Sequence, residues 1–258
     1  MRTGQRAALV VAHPGHELLV YGWLGLARPV ACVLTDGSGL GRPVRLEKTR
    51  RLLLERHASP GPVFGRWADR EIYDALLDGK TEPFLTVLHE LADFLAAGAT
   101  DYVVGDAAEG FNPSHDLCRL LIDGAAALAA RRLGRPVDRY EFPQYLHARA
   151  REAPEGSLRI DLDDETFAAK ESATRAYSEL AHEVQVLTAR FTSEAFRQEL
   201  LTPSLAAPGA YELPEDPPVY ERYGEALAAQ GRVERVIRYR EHMRPLAEAL
   251  GREVARSG

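Results

Sequence analysis

The chain lacks any uninterrupted apolar run of the roughly 20 residues that a membrane-spanning helix needs. It also lacks a secretory signal pattern, because MRTGQR at positions 1–6 leads directly into an apolar segment with no cleavage site. These two absences predict a cytoplasmic protein without a membrane span.

Cysteine, lysine and positive charge are all scarce. Cys32 and Cys118 stand in apolar segments without a Cys-x-x-Cys partner, which favours buried free thiols over a disulfide or a thiolate metal site. Only three of the 32 basic residues are lysines, and the net charge is −6. This charge argues against a nucleic-acid partner or an anionic membrane surface.

What the chain does have is a regular alternation of elements. Its 258 residues, 45% of them hydrophobic, suit one large domain or a domain with an appendage. Apolar segments at 7–12, 29–35 and 101–106 predict buried strands, and each is followed by a helical pattern. Such alternation indicates parallel strands joined by right-handed crossovers. We therefore predict an α/β fold with a Rossmann-like, mostly parallel sheet flanked by helices.

The later part of the chain has a helical pattern. We predict one long helix over 166–188, a surface loop over 203–218 and helices over 220–251. Residues 1–185 then form an α/β catalytic domain, and residues 186–258 form a loop and helical C-terminal extension packed on the same domain. The sequence leaves the oligomeric state open, with a homo-oligomer as one option.

Three histidines follow strands in this scheme. His13 and His16 come directly after the first strand, and His115 follows the strand at 101–106. The carboxyl ends of parallel strands meet at one edge of a sheet, where ligands bind. Pro14 disfavours helix at His13, so His13 ends its strand, His16 begins the next helix, and both can face one crevice.

Three imidazoles of this kind are typical of a catalytic zinc site, in which the fourth position is left for water. Nickel, copper and iron also accept imidazole, so another divalent transition metal stays open. Taken singly, each histidine is equally explained as a hydrogen-bonding residue at a strand end. His147, which follows a predicted strand at 138–145, is a further candidate for the same crevice.

The motif AHPGHE at 12–17 resembles AHPDDE, the first motif of the LmbE-like (PIG-L) family of zinc-dependent N-deacetylases. The family's second motif, HPDH, stands here as NPSH at 112–115, and TDG at 35–37 and KxxAxxxY at 170–177 are further similarities. The resemblance covers about residues 6–185. It implies zinc as the cofactor, held by His13, His16 and His115, and a small-molecule substrate such as an N-acyl amino sugar.

Two outer positions of the family's site have changed. The family's general base corresponds to Gly15, and the histidine that helps to stabilise its transition state corresponds to Asn112. His16 also replaces a carboxylate ligand, which leaves the site one unit more positive and makes a bound zinc a stronger Lewis acid.

Other residues at the same edge of the sheet could complete the chemistry. Asp36, Asp106 and Glu109 lie in loops there and are candidate proton carriers, with Glu109 preferred because its loop leads straight to His115. Asn112 could donate a hydrogen bond to a developing oxyanion. For each carboxylate, loop solvation or helix capping is the alternative explanation.

The sequence therefore predicts a metal-dependent hydrolase, an N-deacetylase or amidase that uses a metal-bound hydroxide on a sugar-like or other small N-acyl metabolite. Two alternatives stay open. One is a catalytically silent relative that binds metal and a ligand or partner protein, which the loss of both outer catalytic residues supports. The other is a metal enzyme that acts on an ester or a different acyl group.

Overall fold

The computed structural model describes residues 4–144, 153–190, 192–213 and 216–257. Within these ranges seven strands form one sheet in the order β3-β2-β1-β4-β5-β7-β6. The strands are β1 (Ala7–Val11), β2 (Val30–Thr35), β3 (Ser59–Trp67), β4 (Tyr102–Asp106), β5 (Asp138–Phe142), β6 (Leu158–Asp161) and β7 (Gln198–Pro203).

Helices connect the strands and cover both faces of the sheet. They are α1 (Tyr21–Ala27), α2 (Leu46–Glu55), α3 (Asp69–Leu77), α4 (Glu82–Ala97), α5 (Pro113–Leu133), α6 (Asp164–Ala176), α7 (Ala181–Arg190), α8 (Val219–Ala229) and α9 (Arg244–Arg256). In the described part of the chain, none of them is both long and apolar enough to cross a membrane.

The first five strands in this order are parallel. β1 pairs with β2 on one side and with β4 on the other, and β3 and β5 extend the sheet outwards. The chain therefore winds one way from β1 to β3 and then crosses β1 to add β4. This reversal creates a crevice beyond the carboxyl ends of β1 and β4, the usual ligand site of such sheets.

Burial explains why β1 is apolar at every position. Ala8 and Val10 pack in a core shared with α3, α4, α5 and α9, whereas Leu9 and Val11 pack on the other face in a core that includes α1 and α2. Helical layers on both faces of a mostly parallel sheet, together with a C-terminal helix, confirm the predicted α/β class.

The two cysteines are also where the sequence predicted them. Cys32 and Cys118 are free thiols, and both are fully buried in the same core.

The predicted single helix over 166–188 is wrong. α6 ends at Ala176, a 3-10 turn follows at Ser178–Leu180, and α7 begins at Ala181. Tyr177 leaves the helical conformation, with φ −88° and ψ 68°. Its hydroxyl donates to the buried carboxylate of Glu17, so a tertiary contact overrides the local helical pattern here.

The sequence reading also missed β7. This strand lies between β5 and β6 and is antiparallel to both. The segment after residue 185 thus contributes a strand to the main sheet, while the proposed domain division at that position stays a prediction.

Candidate metal centre

A tight turn after β1 brings the first two histidines together. His13 follows the strand, and the His16 amide donates to the His13 carbonyl oxygen at 3.3 Å. Gly15 between them has a φ of 109°, a left-handed conformation that favours glycine. A 3-10 helix then begins at His16 and runs to Val20.

Glu17 holds this turn in place. Its carboxylate is fully buried; one oxygen accepts the Gly15 amide at 2.7 Å, and the other accepts the hydroxyls of Tyr177 at 2.6 Å and Thr49 at 2.8 Å. With three donors around it, Glu17 stabilises the backbone of the turn, and its contacts are those of a structural residue.

The third histidine lies in the first turn of α5. Asn112 caps this helix, Pro113 occupies its first position, and the His115 amide donates to the Asn112 carbonyl oxygen at 3.1 Å. A fixed helix start therefore sets the direction of the His115 side chain.

Asp116 fastens the loop that leads to this helix. Its Oδ1 accepts the amides of Glu109 at 3.0 Å and Gly110 at 3.2 Å, and its Oδ2 accepts the Tyr211 hydroxyl at 2.5 Å. Burial raises the pKa of Asp116 to about 7, against the effect of these donors. Through Tyr211, the C-terminal part of the chain supports the loop before His115.

The three imidazoles lie in mutual contact. Their ring centres are 5.2 Å apart for His13 and His16, 5.1 Å for His13 and His115, and 4.6 Å for His16 and His115. Three imidazoles bound to one zinc ion at about 2.0–2.1 Å, with tetrahedral angles, would have ring centres about 5 Å apart. The spacing of the rings therefore fits a common divalent ion.

A carboxylate and a hydroxyl flank the inner nitrogen of His13. Its Nδ1 lies 2.8 Å from Thr35 Oγ1 and 2.7 Å from Asp69 Oδ1. The Asp69 approach does not have hydrogen-bond geometry, and within the described residues this buried oxygen has no hydrogen-bond partner. A buried anionic oxygen of this kind is costly unless a cation offsets it.

A second carboxylate anchors His16. Asp106, at the end of β4, is fully buried, and its two oxygens each lie 3.0 Å from His16 Nδ1. Its Oδ2 also accepts the Ala12 amide at 2.7 Å. A carboxylate on the inner nitrogen leaves the outer nitrogen of a histidine free for a metal, as is usual behind metal-binding histidines.

The electrostatics favour neutral imidazoles at His13 and His115 and an ionised carboxylate at Asp106. Burial lowers the pKa of His13, and burial with the neighbouring rings of His16 and His13 lowers that of His115 well below its usual value. Burial by itself would raise the pKa of Asp106, but the charge of His16 and its hydrogen bond bring it down to about 2. Neutral imidazole is the form that binds a metal.

Arg45 adds a positive charge nearby. Its buried guanidinium donates to the carbonyl oxygens of Gly37 at 2.6 Å and Pro14 at 3.3 Å, and it interacts electrostatically with Asp69. It therefore joins the turn after β1 to the loop after β2. The negative charges of Asp69 and Asp106 exceed the positive charge of Arg45, so a net negative charge remains beside the three imidazoles, and this favours a bound cation.

Donor chemistry and ring spacing thus fit a divalent transition metal held by His13, His16 and His115. Across the described ranges, however, no group of three or more histidine, cysteine, aspartate or glutamate side chains is placed so that it could hold a metal ion as it stands. The fit is one of spacing and chemistry, and metal binding is a proposal of the next section.

The Asn112 amide has a defined orientation beside this cluster. Its Oδ1 accepts the Ser114 amide at 2.8 Å and the Tyr73 hydroxyl at 3.3 Å. Because two donors occupy the oxygen, the amide NH₂ must point the other way, and the described contacts give it no acceptor. Asn112 can therefore donate a hydrogen bond to a ligand.

The three predicted carboxylates have different surroundings. Asp106 contacts His16, as described above, whereas Glu109 is partly exposed and its Oε2 accepts the Gln144 amide at 2.8 Å. Asp36 accepts the Ser38 amide at 2.9 Å in the turn after β2, and the described contacts include none between Asp36 and the three histidines. The structure thus brings Asp106 to His16, Glu109 to the main chain of Gln144 and Asp36 to a turn.

The position of the family's general base is filled by apolar atoms. A Cβ atom on Gly15 would lie 2.4 Å from Leu180 Cδ1 and 3.8 Å from Tyr177 Cδ1. Together with the positive φ of Gly15, this contact leaves no space for an aspartate without a shift of Leu180.

Sequence reasoning did not assign Asp69, Gln144 or Leu180 to the site. Asp69 follows the carboxyl end of β3, so a correct end for that strand would have suggested it. The sequence predicts a strand over 138–145 that includes Gln144, although β5 ends at Phe142. His147 lies outside the described residues.

Several solved structures are similar to the chain, and two of them are deacetylases with TM-scores of at least 0.50. The zinc-inhibited form of the teicoplanin deacetylase Orf2 is 15% identical, and the match covers 79% of this chain and 100% of that one, with a TM-score of 0.50. The A40926 pseudoaglycone deacetylase Dbv21 is 18% identical over 77% of this chain and 96% of that one, with a TM-score of 0.52. No protein-family model and no curated protein matches the chain.

At such low identity the similarity concerns the fold. It agrees with the sheet order and with the placement of the sequence motifs at the carboxyl ends of β1 and β4. The chain has the fold of the LmbE-like (PIG-L) deacetylases.

Proposed function

We propose that this protein is a metal-dependent hydrolase, an N-deacetylase or amidase that acts on a sugar-like or other small N-acyl metabolite. The observation that carries the proposal is the cluster of three imidazoles with ring centres 4.6–5.2 Å apart, beyond the ends of β1 and β4. The similarity to two deacetylases, the teicoplanin deacetylase Orf2 and the A40926 pseudoaglycone deacetylase Dbv21, supports this class of reaction.

The metal would be held by His13, His16 and His115. Zinc is the preferred ion because of the family resemblance, and another divalent transition metal is the alternative. When bound, zinc would lower the pKa of a coordinated water and polarise a carbonyl oxygen. The protein's part is to keep His13 and His115 neutral by burial, and to fix the inner nitrogen of His13 with Thr35 and that of His16 with Asp106.

Asn112 is the proposed oxyanion donor. Its Oδ1 is held by Ser114 and Tyr73, so its NH₂ is set in advance towards an acceptor outside this group. An amide carbonyl under attack gains negative charge on its oxygen, and a donor already in position stabilises that charge without reorganisation.

Glu109 is the preferred proton carrier among the predicted carboxylates. It is partly exposed, and it stays close to the cluster through its bond to Gln144. Asp106 already receives donors from Ala12 and His16, so its contacts favour a positioning role. Asp36 is occupied in its turn and is the weaker candidate.

One observation favours a second function, a silent relative that binds metal and a ligand or partner protein. Gly15 replaces the family's base, and Leu180 occupies the space where that side chain would stand. The chain has thus not merely lost a carboxylate but has filled its position. Such a protein would bind the metal and hydrolyse nothing.

Metal analysis and an activity screen separate these two functions. The purified protein is analysed for bound metal and then assayed for acid release from a panel of N-acyl amino sugars and simpler amides. The test variant is His115→Asn, and the matched control is His57→Asn. His57 is exposed and lies just before β3, at the amino ends of the strands, whereas the imidazole cluster lies at their carboxyl ends. Its φ of 59° is tolerated by asparagine.

The proposed hydrolase predicts about one zinc per chain and measurable acid release, both lost in His115→Asn and kept in His57→Asn. One zinc per chain without acid release from any amide would favour the silent relative. No transition metal in protein that has never met a chelator, and none taken up on addition, would refute both.

A further inference from the structure

Gln144 lies directly behind the imidazole cluster. It follows β5 and is only 8% exposed. Its main-chain amide donates to Glu109 Oε2 at 2.8 Å, which ties the end of β5 to the loop between β4 and α5. Its side chain is therefore delivered to the cluster from a fixed backbone.

The side-chain amide of Gln144 faces the anchor of His16. Its Nε2 lies 2.9 Å from Asp106 Oδ1 and 2.8 Å from His16 Nδ1. A carboxylate only accepts, so the group that faces Asp106 must be the NH₂. The carboxylate is also the stronger acceptor for the His16 N–H, and both nitrogens then donate to Asp106.

Asp106 would thus accept hydrogen bonds from three different parts of the fold. Ala12 donates from the end of β1 at 2.7 Å, His16 from the 3-10 helix at 3.0 Å and Gln144 from the end of β5 at 2.9 Å. The first donor fixes one oxygen of the carboxylate, and Gln144 fixes the other. Without Gln144, a buried oxygen would lose its donor, and the carboxylate would be free to turn away from His16.

We propose that Gln144 is a positioning residue, which acts through Asp106 to hold His16 in the orientation that binds the metal. The inference rests on the proposed function, because it concerns the same metal centre. It extends the site beyond the residues that resemble the family's motifs to the loop after β5. Partners of this outer kind typically change metal affinity 10–100-fold when they are removed.

The test compares two glutamine-to-leucine variants. Gln144→Leu removes the donor at nearly constant size, and Gln230→Leu makes the same change at an exposed position that follows α8. The affinity for zinc is measured by competition with a chromophoric chelator, and the visible spectrum of the cobalt-loaded protein reports the ligand geometry. Unfolding of the metal-free proteins is followed in parallel.

Gln144→Leu is expected to bind zinc roughly 10–100-fold more weakly than the wild-type protein. Its cobalt spectrum should change, whereas Gln230→Leu should match the wild type in both measurements. Metal-free Gln144→Leu should have a lower unfolding midpoint than the control, because a buried oxygen of Asp106 loses its donor, but it should still unfold in one cooperative transition with an unchanged denaturant slope. That slope distinguishes positioning of the ligand from a general loss of structure.

If Gln144→Leu does not fold, Gln144→Glu keeps the size and polarity of the side chain and places a second negative charge beside Asp106. It should also weaken zinc binding and change the cobalt spectrum. Zinc affinity and a cobalt spectrum equal to those of the wild type, in whichever variant folds, would overturn the role of Gln144 alone. A wild-type protein that binds neither metal would instead overturn the proposed function, and this inference with it.

Discussion

Leu180 occupies the position that a side chain on Gly15 would need, and this contact leads to a quantitative prediction about stability. Gly15 has a φ of 109°, and a Cβ atom there would lie 2.4 Å from Leu180 Cδ1. A non-glycine residue in such a conformation costs about 1–3 kcal/mol. Overpacking adds roughly 1–3 kcal/mol, and because the overlapping atom is the methyl end of a partly exposed leucine, the lower half of that range applies.

Gly15→Ala should therefore lower the free energy of unfolding by about 2–5 kcal/mol. Urea denaturation followed by tryptophan fluorescence measures this loss, with an unchanged denaturant slope as the sign of two-state unfolding. The same substitution in a Leu180→Ala background should cost about 1–2 kcal/mol less, because the overlap is gone and the backbone strain remains.

Two results would refute this reasoning. A loss below about 0.5 kcal/mol in Gly15→Ala would mean that the turn does not need glycine, since surface changes without such a mechanism stay within that range. An equal loss with and without Leu180 would mean that the space above Gly15 is not filled. In either case Gly15→Asp could restore the family's carboxylate, which the present geometry opposes.

Other predictions concern the core and the metal. Burial raises the pKa of Cys32 to about 12 and that of Cys118 well above its usual value, so neither should react with a thiol reagent at pH 8 until urea is added, and faster labelling of native protein would contradict their burial. Lys170→Met leaves the buried Glu199 carboxylate without its cation at 2.8 Å, and should cost about 3–5 kcal/mol in urea unfolding, whereas the exposed Lys80→Met should change stability little. Dialysis against a chelator should lower the melting temperature, and zinc at 100 times its dissociation constant should restore about 2.7 kcal/mol, while a melting temperature indifferent to both would argue against a metal bound by the folded state.

The meeting of the three histidines could be predicted from the sequence because general rules determine it. Pro14 disfavours helix at His13, so the helical turn begins only at His16, and parallel strands bring their carboxyl ends to one edge of the sheet. His115 then reaches the same crevice, although it is about a hundred residues away in sequence. The α/β class followed from the same alternation of strands and helices.

The surroundings of the histidines could not be predicted in the same way. Asp69 can be assigned to the site only when the end of β3 is known. The sequence of β3 does not indicate a strand, because it contains Pro60, Pro62 and two glycines; these residues are tolerated because β3 is an edge strand of the sheet. The helix is interrupted at Tyr177, whose hydroxyl donates a hydrogen bond to Glu17, 160 positions away in sequence. Contacts of this kind depend on the assembled fold, so no local sequence pattern predicts them.

X-ray absorption at the zinc edge of the metal-loaded protein tests the central claim most directly. The account predicts three imidazole nitrogens at about 2.0–2.1 Å, with the remaining ligand an oxygen. His115→Asn should lower the number of imidazoles by one, and His57→Asn should leave it at three. A wild-type spectrum with fewer than two imidazoles, or with sulfur at about 2.3 Å, would contradict a centre built from His13, His16 and His115.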